Sequence, residues 1–84
     1  MSIDKVTAQQ WIGAQAIEAN EAGDLERRDD FVRLGYVLDA YRTNQRLVNR
    51  AVDAGIESFL VAYEYGTAKT AESKARKFLE AWER

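Results

Sequence analysis

Between Asp24 and Gly66 the chain repeats at the three- and four-residue steps of a helix, with none of the two-residue alternation of a strand. Phe31, Leu34, Leu38, Tyr41, Gln45, Val48 and Val52 fall along one side. A second track, Val37, Ala40, Leu47, Ala51 and Ala54, lies beside it, and together they cover roughly 200° of the circumference. A helix at the edge of a bundle needs one apolar stripe. This spacing therefore predicts a central helix contacted from two sides.

The chain contains no proline, so glycines and capping residues must mark the breaks. Thr7 followed by Gln10 has the spacing of a capping box. Ala8, Trp11, Ile12, Ala16 and Ala19 then share a face, which predicts a first helix from about Thr7 to Ala22. Gly23-Asp24 ends it, and Asp24 is a good N-cap for the next, with Glu26 at its positive end. The Leu38, Tyr41, Gln45, Val48 register crosses Thr43-Asn44 without a change of phase. An unbroken path to Gly55, about thirty residues, is the favoured reading, against a break near Thr43-Asn44 with Gly55 inside the following segment.

Ile56, Phe59, Leu60 and Tyr63 form the next apolar face, on a short third helix or a continuation. Tyr65-Gly66-Thr67 is the clearest stop and restart: a left-handed Gly66 would close one helix, and Thr67 or Thr70 would cap another. Ala71, Ala75, Phe78, Leu79 and Trp82 supply the last face, with Glu72, Arg76, Glu80 and Arg84 outside it at i, i+4 spacing. The expected fold is all-α, a small bundle of about four helices with a long central helix, spanning residues 1–84 as a single helical domain.

Phe31, Leu34, Gly35 and Leu38 loosely resemble the spacing of a tetratricopeptide helix, with Leu47, Ala51 and Ala54 near its second-helix small positions. The resemblance covers about one unit, lacks the tyrosine at position 38, and has no second unit at the right period. It carries no function to this chain.

The 14 acidic and 12 basic residues give a formal charge of −2, so no bulk field draws this small acidic protein to nucleic acid or anionic lipid. A chain of this length has a small core, and association with a partner would add burial. The start has no long apolar run or basic leader, and no apolar stretch approaches transmembrane length. Localisation in the cytoplasm, without membrane association, is the expectation.

Histidine and cysteine are both absent, which removes the commonest zinc ligands and the usual base for a serine or cysteine nucleophile. Asp29 and Asp30 are adjacent and point about 100° apart on a helix. Glu57 and Glu64 would stand about 10 Å apart along one, wide even for an inverting glycosidase pair. The glycines never group into a phosphate-cradling loop. No catalytic residue, metal site or cofactor is expected.

What remains is binding chemistry. Arg42, Arg46 and Arg50 repeat every fourth residue, with Asn49 beside them and no acid from Ala40 to Val52. Arginine's planar fork suits carboxylates and phosphates. Tyr36 lies off the Leu34–Leu38 seam and Tyr65 sits beside the Gly66 stop, where exposed aromatics can anchor an interface. The leading expectation is a regulatory protein-binding module acting as adaptor, small subunit or inhibitor through Arg42, Arg46, Arg50, Asn49, Tyr36 and Tyr65. A homodimer would use the second seam, Val37, Leu47 and Ala51. A nucleic-acid-associated regulator using the arginine face is the alternative.

Overall fold

The computed structural model describes residues 7–83. Among them the regular structure is entirely helical: α1 (Ala8–Glu21), α2 (Leu25–Thr43), a 3₁₀ turn (Gln45–Leu47), α3 (Val48–Ala54), α4 (Ile56–Tyr65) and α5 (Ala68–Trp82). None of these helices is long and apolar enough to cross a membrane. Packing concentrates in two compact units, Met1–Asp39 and Ala40–Arg84.

In the first unit, α1 starts where Thr7 and Gln10 close a reciprocal capping box. The Thr7 hydroxyl accepts from the Gln10 N–H at 3.1 Å, and the Gln10 side-chain oxygen accepts from the Thr7 N–H at 3.3 Å. At its other end the Asp24 N–H reaches the Ala19 carbonyl and the Gly23 N–H reaches that of Asn20, the paired bonds of a Schellman closure, with Gly23 at φ 78°. The Asp24 carboxylate then accepts from the Arg27 N–H at 3.2 Å and opens α2. This three-residue turn folds α2 back along α1. Ile12, Phe31, Leu34 and Leu38 are buried, and Trp11 meets the Phe31 ring edge-on at 5.7 Å.

The favoured unbroken path through Asn44 is not what the chain adopts. Asn44 is extended, at φ −131° and ψ 106°, and its carboxamide oxygen accepts from the Arg46 N–H at 3.0 Å. The Thr43 hydroxyl bonds back to the Ala40 carbonyl at 3.3 Å. These side chains offer the backbone local partners that compete with the helical ladder, and the helix stops. One 3₁₀ turn later α3 resumes in a different phase. Ala51, on the second track, is wholly buried, whereas Gln45 and Val52, on the first, are exposed, so beyond the break the first seam no longer faces the core.

Gly55 both ends α3 and begins α4. At φ 101° it donates to the Ala51 and Val52 carbonyls, and its own carbonyl accepts from Ser58 and Phe59. Gly66 serves differently from expectation. It closes α4 at φ −102° and ψ −161°, outside the left-handed region, and glycine fits because a Cβ there would stand 2.8 Å from the Ala62 carbonyl oxygen. Thr67 caps α5 through the Thr70 N–H at 3.1 Å. Helices α4 and α5 form a hairpin with α3 against both, closed around Ile56, Phe59, Ala62, Ala71, Ala75, Phe78 and Leu79. On the outside of α5, Arg76 pairs with Glu72 at 3.2 Å; Arg84 lies outside the described residues.

Two glycine replacements separate backbone demand from packing. Gly55→Ala forces a side chain into the left-handed region and should cost about 1–2 kcal/mol. Gly13 sits inside α1 with no heavy atom near its would-be Cβ, so Gly13→Ala should stabilise by up to about 1 kcal/mol. Urea denaturation of the two variants beside the parent checks both signs.

Candidate functional site

The break at Asn44 distributes the arginine track over three elements. Arg42 lies in the last turn of α2, Arg46 in the 3₁₀ turn and Arg50 in α3, and all three are exposed, as is Asn49. They do not form one helical face. Arg50 is committed within the chain: its guanidinium sits 4.0 Å from the centroid of the Trp82 ring, and Nη2 donates to the Trp82 carbonyl at 2.6 Å. That carbonyl belongs to the last residue of α5, where orphan acceptors and the negative helix end both favour a cation. Arg50 is thus a clasp between α3 and the end of α5, while Arg42 and Arg46 make no salt bridge to a described residue.

The second seam is divided as well. Val37 is half-buried in α2, Leu47 is half-buried beyond the break, and Ala51 is 0 % exposed. Ala51 offers no surface to a second copy. Trp11 and Trp82 are each partly covered by the contacts already given, whereas Tyr65 is 82 % exposed at the end of α4, one turn beyond the exposed Val61.

An open depression lies on the α1–α2 hairpin. It has a volume of about 300 Å³ and runs between the two helices above the buried Ile12 and Phe31. Its α1 side is low, built from Gln9, Gly13 and Ala16; its α2 side carries Val32, Gly35, Tyr36 and Asp39. Gln9, Gly13 and Ala16 step by four and three along α1, and Val32, Tyr36 and Asp39 by four and three along α2 with Gly35 beside Tyr36, so each row is one stripe of its helix. Val32 is 40 % exposed and Tyr36 73 % exposed. One end is tied by the Gln9 Nε2 donation to the Gly35 carbonyl at 2.9 Å, and beyond the other Arg28 donates to the Asn20 side chain at 2.9 Å.

The opposite side of the hairpin is closed by Arg27. It lies 5.1 Å from the centroid of the Phe31 ring and donates to the Gln15 side chain at 3.0 Å, with Glu18 at 3.7 Å. The two faces of the hairpin therefore differ in kind, one satisfied by polar contacts and the other an open apolar depression. The Gln9 Oε1 atom is buried without a protein partner, a cost that this face bears.

Of the residues singled out from sequence, Tyr36 lies on this depression; Arg42, Arg46, Asn49, Arg50 and Tyr65 belong to the other unit. The sequence reading missed Gln9, Gly13 and Val32. Its available signal was the Val32–Tyr36 pair at i, i+4, both rotated off the Phe31–Leu34–Leu38 face. Among the described residues, no group of three or more acidic side chains is placed to hold a metal ion. Comparison with family models, with curated proteins and with solved structures returned no match.

The Arg50 clasp can be tested against its unengaged neighbours. Arg50→Met should lower stability by about 1 kcal/mol, from the cation–π contact and the capped carbonyl together. Arg42→Met should change it by no more than about 0.5 kcal/mol. A double-mutant cycle pairing Arg50→Met with Trp82→Leu, read by chemical denaturation, should recover most of the difference as coupling.

Proposed function

We propose that this chain is a non-catalytic protein-binding module whose contact surface is the α1–α2 depression. The observation that carries this reading is the Val32–Tyr36 row, largely exposed, standing beside a depression floored by buried apolar side chains. Apolar groups rimmed by polar ones mark surfaces that gain by being covered, and a partly exposed tyrosine gives a large contact area for little conformational entropy. The role is that of an adaptor, small subunit or inhibitor, which act by occupying a surface and need no reactive group.

A photoreactive phenylalanine analogue at position 36, introduced into the full chain in its native host, tests this. A discrete protein adduct, to another protein or to a second copy, is expected from position 36 and not from the exposed position Glu57. Equal labelling from both positions would remove the support.

A second reading, association with nucleic acid, is favoured by one observation: Arg42 and Arg46 are exposed and make no salt bridge to a described residue. Phosphate contacts through two arginines would make affinity fall with salt with a log–log slope of about −1.5 to −2. Arg42→Gln with Arg46→Gln should abolish that slope while leaving helicity unchanged. Binding by the double variant that equals the parent's at every salt concentration would sink this reading.

A further inference from the structure

We draw no further inference here: the strongest candidate, the open apolar depression between α1 and α2 that Val32 and Tyr36 border, belongs to the site already described, and nothing in the structure shows what covers it.

Discussion

The arrangement of the second half of this protein depends on the backbone at Asn44. Its extended conformation, held by the carboxamide bond to the Arg46 N–H, ends one helix and restarts the next in a different rotational phase. Beyond it Ala51 lies inside, and Val52, which continues the first seam in sequence, lies outside. Arg50 is carried to the end of α5, where its charge, its donors and its flat face all find use on Trp82. Arg42 and Arg46, chemically identical and four residues apart, are left facing solvent.

The helix ends that were legible in the sequence are those whose partners are near in the chain. Thr7 with Gln10, Asp24 with Arg27 and Thr67 with Thr70 each satisfy orphan donors within one turn, so residue type and spacing alone identify them. The faces of α4 and α5 were legible for a similar reason: a single apolar stripe on a short helix admits one way of facing a core. The all-α fold follows from these elements.

Asn44 was harder to read because continuation and interruption differ by a few weak bonds. The apolar register ran through it undisturbed, and the decision rested on side-chain bonds to backbone that periodicity does not register. Gly66 was recognisable as a stop, but its reason was not. A close approach to the Ala62 carbonyl, rather than a positive φ, excludes a side chain there. The depression on the hairpin was half visible: Tyr36 stands off its seam in sequence, whereas the relevance of Gln9 and Gly13 appears only once α1 lies against α2.

The joint at Gly55 has a consequence for how the second unit breathes. Its amide closes the last turn of α3 and its carbonyl holds the first amides of α4, so no slack chain separates the two helices. A fluctuation that frays the end of one withdraws the acceptor on which the other begins. Amides on either side of position 55 then share a single opening event, and their exchange with solvent reports one cooperative unit where the element boundaries would suggest two.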